Sequence, residues 1–164
     1  MSVIAIFRQS TFLSASIYEM TEPKRQVVQF DYLPMIRAAV ALQSGKAADA
    51  LAALAGSVPY EMGQTNSAFT FALYPAYLRG EAYLAARQGT AAASEFQKIL
   101  DHPGVVGNQP IGALARLGMA RAYVLAGDTT KAKSAYQDFL SLWKHADPDS
   151  PILKDAKAEF AKLQ

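Results

Sequence analysis

From Asp31 onward, apolar positions recur at helical spacing. In the clearest stretch Leu114, Leu117, Ala120 and Leu125 fall on one strip. Ala132, Ala135, Tyr136, Phe139 and Leu140 fall on the next. Gly127-Asp128 between the strips supplies a helix stop followed by an N-cap, so this stretch predicts two helices joined by a tight turn. The same pattern recurs upstream. Tyr83, Ala92, Phe96 and Leu100 are restated as Tyr123, Ala132, Tyr136 and Leu140, an offset of 40 residues. A weaker first copy lays Ala50 on Ala92 and Leu54 on Phe96, at an offset of 42. Gly45 and Gly127 each stand five residues before the matching Ala, whereas Gly89 stands only three before Ala92, which predicts a shifted turn in the middle copy.

Read this way, the first copy comprises helices over 32–44 and 46–55, and Pro34 fits the initiating turn. The second runs over 68–88 and 90–101; Pro75 marks either the start of its first helix or a bend within it. Linkers over 56–67 and 102–110, rich in Pro and Gly, are expected to be loops. After the break at Asp147-Pro148-Asp149, Ser150 is an N-cap candidate with Pro151 at the first helical position of a terminal helix over 151–163. Its stripe of Ile152, Leu153, Ala156, Phe160 and Leu163 suits a cap on a helical stack, and Lys154, Asp155, Lys157, Glu159 and Lys162 cover the remainder. The expected organisation is a poorly specified leader over 1–29, then a helical repeat domain over 30–164.

Composition sharpens this picture. Alanine supplies 31 of 164 residues, and as the best helix former it favours all-α packing with closely approaching helices. Ala50, Ala92 and Ala132 recur at one place in each copy, and Ala38, Gly80 and Ala120 at another. The net charge of +2 implies no basic face for nucleic acid. The absence of Cys excludes disulfides, thiolate metal sites and Cys nucleophiles. The apolar run over 3–7 is too short for a secretory core or a membrane span, so a cytoplasmic location without a membrane span is expected.

The pattern Gly80-x-x-Tyr83 then Ala92-x-x-x-Phe96, with Ala120-x-x-Tyr123, Gly127-Asp128 and Ala132-x-x-x-Tyr136, resembles the tetratricopeptide repeat. The first copy keeps Ala38, Gly45, Ala50 and Leu54. Departures are the longer period and Arg37, Arg79 and Met119 where the family places Leu. Over residues 26–164 the stretches 73–83, 99–106 and 143–149 are similar to the C-terminal repeat region of acidobacterial serine/threonine protein kinases. No glycine-rich loop, His-Arg-Asp or Asp-Phe-Gly is present, so the resemblance implies an interaction module and transfers no kinase activity. The implied fold is an all-α, tetratricopeptide-like α-solenoid of about three helix pairs plus a capping helix.

In that family the first-helix strips line a concave, peptide-binding groove. The corresponding positions are Tyr32, Tyr74 and Leu114, then Met35, Tyr77 and Leu117, then Ala39, Glu81 and Arg121. The candidate groove is therefore Tyr32, Met35, Tyr74, Tyr77, Glu81, Leu117 and Arg121: aromatic, with one acidic and one basic contact. The other reading places the same aromatics in the inter-helix core or against the leader, since Tyr suits either place. Repeat proteins that grip a C-terminal carboxylate do so with Lys, Asn and Arg at these strips; the corresponding positions here carry Met35, Ala39, Leu78, Glu81, Leu114 and Gly118, which disfavours chaperone-tail clamping.

Chemistry finds little support. His102 and His145 are read as loop residues rather than ligands or bases. Asp147-x-Asp149 lacks the Gly and Glu of a calcium loop and is read as a helix-flanking turn. Trp143 is expected to pack under the terminal cap. The chain is expected to be a non-enzymatic scaffold without cofactor or metal, binding a protein or peptide. The alternative is a module that pairs with its own copies or with a detached kinase domain.

Overall fold

The computed structural model describes residues 30, 32–62 and 72–164. Its described residues are all-helical, with no strand. The helices are α1 (Leu33–Gln43), α2 (Ala47–Leu54), α3 (Tyr74–Ala85), α4 (Gly89–Asp101), α5 (Pro103–Val106), α6 (Ile111–Leu125), α7 (Thr129–Leu142) and α8 (Pro151–Ala161), with a 3-10 turn over Ala55–Ser57. The leader, and the expected beginning of the second copy at residue 68, lie outside the described residues.

Three helix pairs, α1–α2, α3–α4 and α6–α7, share one turn. The N–H groups of Lys46, Gln88 and Asp128 reach back to the carbonyls of Ala41, Tyr83 and Tyr123 at 2.9, 2.8 and 3.0 Å. One residue earlier, Gly45, Arg87 and Gly127 donate to Leu42, Leu84 and Val124. All three adopt positive φ, at 70°, 58° and 78°. This double closure satisfies carbonyls left over at the end of a helix and requires a left-handed residue. The middle turn is therefore not shifted: Arg87 takes the left-handed place that glycine holds in the other copies. Gly89 serves another purpose. A Cβ there would lie 2.6 Å from the Ala122 carbonyl oxygen and 2.8 Å from the Ala126 nitrogen, so its lack of a side chain lets the start of α4 touch the end of α6.

Two further departures concern boundaries. Helix α3 starts at Tyr74 with Pro75 just inside it, so Pro75 initiates the helix and does not bend it. Residues 102–110 are not a plain loop, because Pro103 opens the short helix α5. Asp128 caps α7, its Oδ1 accepting from the Lys131 N–H at 3.0 Å. Ser150 occupies the N-cap place of α8, but its hydroxyl makes no capping bond.

The pairs pack in a regular order. Each first helix contacts its own second helix and the next first helix, and each second helix contacts the first helix that follows. The small residues sit at these contacts: Ala38, Ala50, Ala92, Ala120 and Ala132 are fully buried. Phe96 is clasped between Gly80 of α3 and Gly118 of α6. One apolar cluster runs from α1 to α6. A second joins Leu117 and Ala120 of α6 with Tyr136 and Phe139 of α7 and Ala156 of α8. Ala135, Trp143 and Ile152 touch both.

Candidate functional site

Helices α1, α3 and α6 bring the predicted strip together, but most of it points into the core. Met35 is fully buried, and Tyr74, Tyr77 and Leu117 are buried. Tyr32 is half-buried. The Tyr74 hydroxyl is held by the Gln109 side chain at 3.1 Å. The ring of Tyr77 meets Phe96 edge-on at 5.8 Å. These four buried residues form a floor, and the ionisable groups lie around it.

Glu81 stands one helical turn after Tyr77, and the two interact on α3. Burial raises the Glu81 pKa above the carboxylate norm, and the positive charge of Arg121 opposes that shift only in part. Burial, reinforced by the Glu81 charge, holds the Tyr77 hydroxyl well above its ordinary value. Arg121 keeps a third of its side chain exposed. Its guanidinium grips Glu159 of α8 with two parallel bonds, Nε to Oε2 and Nη2 to Oε1, both at 2.9 Å. The Tyr136 hydroxyl donates to the same Glu159 at 2.8 Å. Burial and this bond raise the Tyr136 pKa as well. Burial works against the charge on Arg121, but the hydrogen bond to Glu159 outweighs it and the pKa rises.

Glu159 and Tyr136 are thus members of the strip that the sequence reading missed. Glu159 was expected on the polar cover of the last helix; instead it ties α8 to α6 and α7. Glu81 forms no ion pair among the described residues.

A second polar cluster was equally hidden. Arg79, which stands where the family places Leu, is buried. Its Nη2 bonds Glu61 at 2.5 Å and Glu95 at 2.8 Å. Lys98 completes the square with Glu61 at 2.9 Å and Glu95 at 3.2 Å. Glu61 belongs to a stretch expected to be a plain linker. Its carbonyl also accepts the N–H of Leu73, which sits in a left-handed conformation at the start of α3. The Arg79 Nη1 finds no acceptor among the described residues. This cluster fastens the segment after α2 to α3 and α4.

The other chemical candidates resolve into local structure. The His102 Nδ1 lies 2.7 Å from the Lys98 carbonyl at the end of α4. Asp147 Oδ1 accepts from the Asp149 N–H at 2.8 Å, and Asp149 pairs with Lys154, which makes this stretch the flank of α8. Trp143 packs on Phe139, with ring centres 4.9 Å apart. Among the described residues, no three His, Cys, Asp or Glu side chains gather where they would hold a metal, and no helix is long and apolar enough to cross a membrane. No family model, curated protein or solved structure matches the chain.

Proposed function

We propose that the chain is a tetratricopeptide-like stack of three helix pairs closed by α8. On this reading it is a non-enzymatic scaffold whose first-helix strip receives a peptide bearing a Lys or Arg side chain. The three equivalent turns and the packing order support the stack. The single observation behind the ligand class is the state of Glu81. It is a partly exposed carboxylate without an ion pair among the described residues, and burial raises its pKa. A cation placed beside it relieves that cost. Arg121 is the weaker contact for a ligand, because Glu159 already satisfies its guanidinium fork. Tyr32 would supply the aromatic wall, over the floor of Tyr74 and Tyr77.

The test is affinity capture from the source cell followed by mass spectrometry, with the wild-type chain beside Glu81→Lys and Glu81→Gln. Both variants replace a half-buried carboxylate without emptying the core. Selective loss of one captured protein in Glu81→Lys, with partial loss in Glu81→Gln and both variants melting no lower than wild type, supports the assignment. Equal capture by all three chains overturns it.

A further inference from the structure

A groove on the other side of the stack runs between α4 and α7, with α6 as its floor. Its two hollows, of about 510 and 340 Å³, share Leu100 and Arg116 as common walls. The larger is apolar, with Leu100, Pro103, Val106, Pro110, Leu142 and Trp143 around it. Leu142 stands 58% exposed there, beside the half-buried Trp143, and so presents apolar surface to the hollow. The smaller hollow is polar, lined by Gln97, Tyr123, Lys131, Ser134 and Asp138 among others.

Arg116 lies where the two meet. It is exposed and has no carboxylate partner among the described residues; its Nη1 donates to the Gly112 carbonyl of its own helix at 3.0 Å. That leaves most of a five-donor planar fork for an incoming oxygen pair. Lys131 also lines the polar hollow, but its charge is answered by Asp128 at 2.9 Å, and Asp138 stands in the same wall, so Arg116 is the cation that the site offers. A helix of 14 residues spans about 21 Å, enough for about six residues of extended chain.

We propose that this groove binds an extended acidic peptide of a partner protein. A bulky apolar side chain enters the hollow beside Trp143 and Leu142, and a neighbouring carboxylate takes a bidentate bond from Arg116. Apolar anchoring beside a fixed charge follows how small sites combine affinity with orientation. The site shares α6 with the Glu81 strip but uses other residues of it, takes its walls from α4 and α7, and selects the opposite charge.

Trp143 is the sole tryptophan and lines the larger hollow, so a change in its emission reports on this part of the molecule. The experiment selects a random nonapeptide display library on the full chain, then measures the winning peptides by Trp143 fluorescence and by anisotropy. Expected winners pair Leu, Phe or Trp with Asp or Glu one or two positions away, and they shift Trp143 emission. Arg116→Gln should weaken them about tenfold, Arg116→Lys less, and Leu142→Glu at least as much. Glu81→Lys should leave them unchanged, so this site and the strip fail or stand separately. Arg116 and Leu142 are exposed, so equal melting temperatures certify the variants. Winners lacking either element, or affinity indifferent to Arg116→Gln, overturn the proposal. So does a sedimenting dimer that Leu142→Glu dissolves, because the occupant is then a second copy of the chain.

Discussion

The Phe96 clasp gives the sharpest stability test. Phe96 is fully buried, with Gly80 of α3 on one side and Gly118 of α6 on the other. A Cβ on Gly118 would stand 2.5, 2.6 and 2.7 Å from three ring carbons, and one on Gly80 would stand 2.6 Å from two. Those distances are about 1 Å inside ordinary carbon–carbon contact. The ring has little room to retreat from α6, because α3 is against its other side and Tyr77 meets its edge. Overpacking of a filled core costs about 1–3 kcal/mol, while replacing Gly by Ala inside a helix returns up to about 1 kcal/mol. Gly118→Ala should therefore destabilise by about 1–2 kcal/mol, which lowers Tm by roughly 2–8 °C for a chain of this size.

The assay is a double-mutant cycle by thermal and urea melts. Phe96→Leu alone opens a void, but in the Gly118→Ala background it makes room for the new methyl, so the two changes should couple favourably by about 0.5–3 kcal/mol. Gly80→Ala combined with Gly118→Ala should exceed the sum of the singles, since the ring is then pressed from both faces. Gly104→Ala is the control: its Cβ meets nothing within 4 Å, and its effect should stay within about 0.5 kcal/mol. A Gly118→Ala chain that melts higher than wild type, or an additive cycle, refutes the clasp.

Arg87→Gly should stabilise by about 0.5–1 kcal/mol in urea melts, because it replaces a left-handed arginine with the residue used at Gly45 and Gly127. Arg79→Met leaves Glu61 buried with only Lys98 to answer it and should cost about 3–5 kcal/mol; the doubly apolar Arg79→Met/Glu61→Leu should recover much of that loss. The folded-state pKa of Glu81 lies above its unfolded value, so the native state holds that proton more tightly. The stability this contributes is complete below the unfolded value and is lost as pH rises through the folded one. Glu81→Gln should therefore raise Tm relative to wild type more at pH 7 than at pH 4, and calorimetry at the two pH values checks the sign.

Repetition made the helix pairs legible, since an aromatic, a small residue and a glycine stop at fixed spacing each carry local physics. Where local physics gives out, so did the reading. Arg87 in a left-handed turn has no sequence mark, and the nearby Gly89, placed for contact with α6, drew the turn to itself. Helix α5 is too short for any periodicity to register. Arg79 was visible as a departure from Leu, but its partner Glu61 sits in a stretch with Pro59 that reads as solvent-facing linker. Glu159 lies 38 residues from Arg121, on a helix whose other charged positions are exposed. In each case a contact between distant segments decides what the residue does.

The strip illustrates how packing turns positions expected on a surface into core. Tyr74, Tyr77 and Leu117 fall where a groove is expected, and the packing of α1, α3, α6 and α8 draws them inward as floor. With Arg121 held by Glu159, Glu81 on that face has no ion pair among the described residues. In the groove between α4 and α7, Arg116 has no carboxylate partner among the described residues. A nearly neutral chain can therefore offer two faces of opposite preference. Raising the salt concentration should weaken both interactions, whereas reversing the charge at Glu81 or at Arg116 should affect only its own side.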